Sequence, residues 1–244
     1  MSVTDQVRAE LLSPAELDAR IAAQPTAYLP LGTLEFHGPH LPIGLDALTA
    51  HAVCVAAAAH TGGIVLPAVY QGFGGGHGHY PWTMMMADGG GIRAHIEATL
   101  ERLREFGVST AVVFSGHFAP EQLDMIDALA ADWNASGASP RVVATAVNRC
   151  AISPLPPDHA GQFEATLLAG SAAELVHLDR LPDADMHPAN DPDGDPYGVH
   201  RHEQSHPLWG VFGPDPRTAD LDSGPSLLAL FGQWLAGEAA RELA

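Results

Sequence analysis

Residues 26–46 read TAYLPLGTLEFHGPHLPIGLD, and this stretch decides the fold. Thr26 to Leu31 is apolar, too short for a helix and free of charge, so it reads as a buried strand. The segment that follows is broken by Gly32, Gly38, Pro39 and Pro42, and it carries Glu35, His37, His40 and Asp46. Imidazole and carboxylate are the ligand types that hold zinc, manganese or iron, and the exit loop of a strand is where a scaffold presents them. Glu35 and His37 are two residues apart, so in an extended segment their side chains point the same way and each can serve one of two neighbouring metals. Asp46, with two carboxylate oxygens, can bridge such a pair. His40, flanked by Pro39 and Pro42, reads as a brace for the loop rather than as a ligand.

On the N-terminal side, Ser13-Pro14-Ala15-Glu16 is a capping box that opens a helix, with Leu17, Ile21 and Ala22 on one face and a stop before Pro25. On the C-terminal side, the spacing predicts an alanine-rich helix over Ala47 to His60 and a second strand over Ile64 to Val69. A helix over Ile92 to Phe106 follows, then a strand over Thr110 to Phe114, a helix over Glu121 to Trp133 and a strand over Val142 to Val147. Strands alternating with helices predict a mostly parallel sheet with helices on its faces, and such sheets bind ligands beyond the carboxyl ends of their strands. His117, in Ser115-Gly116-His117, arrives at such an end and is the best distant partner for the Glu35 segment.

Residues 71–91 are too rich in glycine for a regular element and predict an irregular loop. His77, His79, Tyr80 and Trp82 lie in it, with Met84, Met85 and Met86 expected to form a short strand or packing segment. Residues 152–158 are Pro-rich and lead into DHAGQFEATLLAG, where a helix over Gly161 to Ala173 should carry Phe163, Leu167 and Leu168 inward. His159 before that helix and Glu164 in its first turn can converge, Glu164 as a last metal ligand and catalytic carboxylate, His159 as a proton shuttle. Residues 181–222 are dominated by Pro, Asp, Gly and His and should form loops over the site or a subunit contact, before a last helix over Ser223 to Leu243. His200, His202 and His206 resemble metal ligands, but nothing beside them completes a set.

Eleven Lys and Arg against 29 Asp and Glu give a formal charge of −18, which disfavours nucleic acid and anionic lipid. Two cysteines, Cys54 and Cys150, make no disulfide framework. No apolar run approaches the roughly 20 residues that span a bilayer, and no basic segment leads into a signal-peptide core. A single, soluble, cytoplasmic domain is expected. A Walker loop, a G-x-S-x-G elbow and an H-E-x-x-H helix are all missing from the sequence, and its glycines do not follow dinucleotide-binding spacing.

At these residues the chain resembles the creatininase family of metal hydrolases. The resemblance rests on PLGTLEFHGPHLPIGLD and continues through HGHYPWT from His77, SGH ending at His117, and HAGQFEAT from His159. It implies a three-layer α/β/α sandwich with a mostly parallel central sheet and a binuclear site of zinc first, with manganese or iron as alternatives. Glu35, His37, Asp46 and His117 would bind the metals, with Asp46 bridging. Many family members assemble as hexamers, so a homo-oligomer is expected. Departures also matter: creatininase carries a metal-binding Glu where this chain has Ala119, which leaves Glu164 as the last ligand. Trp82 replaces the usual Gly of the P-G-T step and should reshape the pocket. His159 takes the acid/base position, while His77, Trp82, Ser115 and Phe118 are expected to contact substrate.

The function this predicts is amidohydrolysis of a non-peptide C–N bond in a small linear amide or lactam. The alternatives are metal-assisted acyl transfer or ring closure, and a metal-binding module without turnover.

Overall fold

The computed structural model of the chain describes residues 5–187 and 199–241. Four strands, β1 (Thr26–Leu31), β2 (Ile64–Val65), β3 (Thr110–Ser115) and β4 (Arg141–Ala146), form one sheet in the order β2-β1-β3-β4, and every pairing is parallel. The register aligns Leu31 with Ser115 and Ser115 with Ala146, so the strands that matter for the site end at one level. Both faces are covered, as a parallel sheet requires. Tyr28, Val112 and Phe114 point to one side, against α2 (Leu45–Thr61), α5 (Gln162–Ala172) and α6 (Gly224–Arg241). Ala27, Leu29, Leu31, Ala111 and Val113 point to the other, against α1 (Pro14–Ala23), α3 (Gly90–Glu105) and α4 (Pro120–Ala135). This is the expected three-layer α/β/α sandwich, and the period-2 alternation within β1 and β3 builds it.

Local chemistry explains the boundaries. Glu16 Oε2 accepts the Ser13 N–H at 2.7 Å, closing the predicted box at the start of α1, and Ile21 is buried on its inner face while Ala22 is exposed. The second strand is shorter than the sequence suggested. Beyond Val65 comes Pro67, which has no N–H for the ladder, and pairing resumes only as an isolated bridge at Val69, whose N–H meets the Pro30 carbonyl at 3.0 Å. The methionine segment is likewise no packed strand: Met84 makes one bridge to Leu34, and the side chains of Met84 and Met86 are exposed. The last helix lies at Gly224–Arg241, and Leu243, to which the sequence extended it, is outside the described residues.

α2 begins at Leu45, earlier than the sequence suggested, which places Asp46 in its first turn. Two glycines allow this. A β-carbon on Gly32, just after β1, would collide with the backbone of Ala47, and one on Gly116, just after β3, would collide with the Asp46 carbonyl. The first turn of α2 is thus seated directly on the ends of two neighbouring strands. Gly116→Ala is expected to lower stability by about 1–3 kcal/mol or more, since overpacking here meets main chain that cannot swing aside. Thermal melting checks this, and an unchanged midpoint would contradict the close approach.

Candidate metal centre

The five predicted ligands arrive from four places in the fold. Glu35 and His37 leave β1 on a loop that folds back on itself, Glu35 N–H bonding the Ile43 carbonyl at 2.8 Å. Asp46 comes from α2, His117 from the end of β3, and Glu164 from the first turn of α5. All five are buried, and their side chains converge. The ring nitrogens are assigned by their partners, because a carbonyl can only accept. His37 Nδ1 donates to the Glu35 carbonyl at 2.9 Å, which turns Nε2 into the cluster. His117 Nε2 donates to the Phe73 carbonyl at 3.2 Å, which leaves Nδ1 inward. Such outer bonds fix tautomer and orientation in metal-ligating histidines.

Among the described residues three sets of side chains lie close enough to share an ion: Glu35 with Asp46 and His117, His37 with Asp46 and Glu164, and Glu35 with His37 and His159. The first two include all five predicted ligands, and Asp46 belongs to both of them. Its Oδ1 lies 3.3 Å from His37 Nε2 and its Oδ2 lies 3.4 Å from His117 Nδ1. Glu164 Oε2 is 3.5 Å from His37 Nε2, and Glu35 Oε2 is 3.0 Å from His117 Nδ1. Yet Glu35 Oε2, Asp46 Oδ2 and His37 Nε2 are buried without a hydrogen-bond partner. Buried polar atoms are rarely left so. Atoms crowded to such distances but not bonded to one another are placed as ligands of a shared cation are, and the imidazole and carboxylate donors suit zinc, manganese or iron. The residues fit divalent ions.

Electrostatics agree. Burial disfavours the His37 cation, but the carboxylates of Asp46 and Glu164 overcome this and hold its pKa up to about 10. His117 is likewise raised to about 10 against burial, by Asp46 and Glu35. Burial pushes Glu164 well above the usual carboxylate range, despite His37, with Asp46 and Asp158 adding to the rise. Three carboxylates this close need positive charge among them, from protons or from metal.

Of the remaining predicted residues, some join the site and others do not. His159 stacks 4.4 Å from the His37 ring, and its Nε2 donates to the Phe36 carbonyl at 3.1 Å. Burial and the His37 charge push it down to about 3, so this imidazole is neutral. His77, Phe118 and Ala119 line a cavity of about 210 Å³, together with Glu35, Asp46, Gly75, His117, Pro120, His159 and Glu164. Ser115 does not line it. The hydroxyl is buried, donates to the His117 carbonyl and accepts from Gln122 Nε2 at 2.9 Å, so it shapes the strand end that carries His117. Trp82 is also outside the cavity: its side chain is 80% exposed, turned to solvent by a left-handed backbone at φ 59°. His40 braces as expected, Nε2 donating to the Ala160 carbonyl at 3.1 Å and so tying the Glu35 loop to the His159 loop.

Several residues escaped the sequence reading. Asp158 accepts the N–H groups of Phe163 at 2.8 Å and of Gly161 and Glu164 at 3.2 Å, capping the turn that presents Glu164. Its place just before an H-A-G-x-x-E run was the available signal. The His-rich segment packs over the site. Phe212 and His159 exchange two backbone bonds at 2.9 and 2.8 Å, Tyr80 Oη lies 3.2 Å from His202 Nδ1, and Trp209 packs on Phe36 with ring centroids 5.3 Å apart. Residues 188–198 of the predicted excursion, and the side chain of His200, are outside the described residues.

Convergent histidines and carboxylates at the C-terminal edge of a parallel sheet mark the class, a metal-dependent hydrolase. The profile of the creatininase family, described as creatinine amidohydrolase, matches residues 10–238, and the chain belongs to that family. A creatinine amidohydrolase from Pseudomonas putida is 28% identical over 250 residues, covering 93% of each chain. A crystal structure of creatininase superposes with a TM-score of 0.76 at 26% identity, covering 97% of both chains. A zinc–zinc form of a creatininase variant superposes with a TM-score of 0.73 at 25% identity, over 97% of this chain and 98% of that one. The protein is accordingly a metal-dependent hydrolase of carbon–nitrogen bonds other than peptide bonds. Among the described residues no helix is long and apolar enough to cross a membrane.

Proposed function

We propose that the chain hydrolyses a small linear amide or lactam with two divalent ions, zinc first and manganese or iron otherwise. Glu35, Asp46 and His117 would hold one ion, and His37, Asp46 and Glu164 the other. The observation that carries this reading is Asp46, whose two oxygens face two different histidines. When bound, such ions polarise an amide carbonyl and acidify water.

The protein groups do the rest. His159 has its Nε2–H committed to the Phe36 carbonyl, so Nδ1 is where it takes up a proton and returns it to the leaving nitrogen. Burial keeps it neutral, with no proton on Nδ1. Phe118 and Ala119 give the cavity an apolar wall, while Ser115, Gln122 and Asp158 hold the strand and helix ends in place. At about 210 Å³ the cavity is smaller than the roughly 300–1,000 Å³ of drug-sized ligand sites, which favours a compact substrate of the kind named for the Pseudomonas putida relative. The same reading places the chain in the cytoplasm as a homo-oligomer, up to a hexamer. Trp82 and Met84 support it by exposing large apolar side chains of the kind subunits cover.

The test is a panel of creatinine, other small lactams and formylated amines incubated with ion-replete protein and read by mass. A gain of one water on at least one of them, lost after chelation and restored by zinc or manganese, is the expected result. Turnover that survives complete chelation would sink the proposal.

A further inference from the structure

The histidine–carboxylate contacts of the site are of two kinds. His117 lies 3.0 Å from Glu35 Oε2, yet that oxygen has no hydrogen-bond partner, so the two atoms face a common point rather than each other. His77 is different. Its Nδ1 makes a true hydrogen bond to the other oxygen of the same carboxylate, Oε1. His77 is also absent from every group of side chains close enough to share an ion, among the described residues. Oε2 of Glu35 thus faces His117, while Oε1 is hydrogen-bonded by His77.

The imidazole is delivered by a specific device. Gly74, Gly75 and Gly76 all have positive φ, of 89°, 78° and 73°. The loop they form is pinned to the start of α4, where Glu121 Oε2 accepts the Gly75 N–H at 3.1 Å and Gln122 Oε1 accepts the Phe73 N–H at 3.1 Å. A β-carbon on Gly75 would come within 3.3 Å of Ala119 Cβ, so the loop sits as close as the small residue at 119 permits. On the other side the His77 ring packs against Phe212 at 5.4 Å and meets Tyr80 edge-on at 5.4 Å. Only 17% of the His77 side chain is exposed.

We propose that His77 is a positioning residue for Glu35: its Nδ1–H clamps Oε1 and so aims Oε2 at the ion shared with His117 and Asp46. The proposal rests on the two-ion reading above, and it assigns to His77 an outer-shell role in place of direct contact with substrate. In metal sites, groups that hydrogen-bond a ligating side chain typically govern affinity by about 10–100-fold.

The experiment titrates ion-free protein with zinc alone against a chromophoric chelator, and with cobalt(II) alone followed by its visible absorption. In His77→Ala one of the two ions should bind about 10–100-fold more weakly, with an altered cobalt spectrum for that ion and the other ion unaffected. His77→Asn, whose amide N–H can replace Nδ1–H, should recover most of the affinity. Circular dichroism of both variants reports whether the chain is folded. Equal affinities and spectra in the unsubstituted protein and His77→Ala overturn the role of His77. Uptake of fewer than two ions by the unsubstituted protein overturns the two-ion reading instead.

Discussion

Asp46→Asn is expected to abolish hydrolysis and to empty both ligand groups together. The carboxylate is the one side chain common to the two groups, with Oδ1 at 3.3 Å from His37 and Oδ2 at 3.4 Å from His117. Asparagine keeps the shape but offers one neutral oxygen and an NH₂ that repels a cation. Loss of an outer-shell partner already costs about 10–100-fold, so loss of a shared ligand should cost on the order of 10³-fold or more in kcat/KM. Metal analysis of purified protein should fall from two ions per chain towards none. Glu164→Gln is the internal comparison: it belongs to one group only, so one ion should remain. An Asp46→Asn protein that retains two ions would remove Asp46 from the centre of the site.

His159→Gln should separate chemistry from binding. Glutamine can keep the hydrogen bond to the Phe36 carbonyl, which His159 makes at 3.1 Å, but cannot carry a proton. The expected result is a fall in kcat of roughly 10²–10⁴-fold, the range for a lost general acid or base, with KM and metal content little changed. The competing outcome is specific. Glu35, His37 and His159 are also close enough to hold an ion, so a metal content that falls in step with the rate would make His159 a ligand rather than a proton carrier.

The parts of the site legible in the sequence were those set by local geometry. Glu35 and His37 lie in one exit loop and Asp46 in the first turn of the helix that follows it, and the strand preceding them is uncharged and buried, so their convergence follows from position along the chain. His117 was legible for the same reason, as the residue beyond a second strand whose register with the first puts both ends at one level. Ser115 was misplaced because a hydroxyl at a strand end reads the same whether it faces the cavity or lies beneath it. Trp82 was misplaced because its left-handed backbone, unusual for a non-glycine residue, turns the indole away. The partners of Phe36 could not be read at all. Tyr80 and Trp209 stack on it from 44 and 173 positions further along, and nothing local in the sequence marks that contact. His202 is a related case: the alternating histidines resemble metal ligands without a complete set, and in the structure that segment is part of the wall around Tyr80 and Phe212.

Gly32 and Gly116 give the site an unusual kind of heritability. The first turn of α2 approaches the strand ends too closely for a β-carbon at either position, so the place of Asp46 depends on main-chain contact at these two points. A change of side chain in either apolar layer leaves these two contacts in place. The restriction falls elsewhere. Positions 32 and 116 are closed to every side chain, and a lineage that loses either glycine loses the seat of Asp46 in a single step.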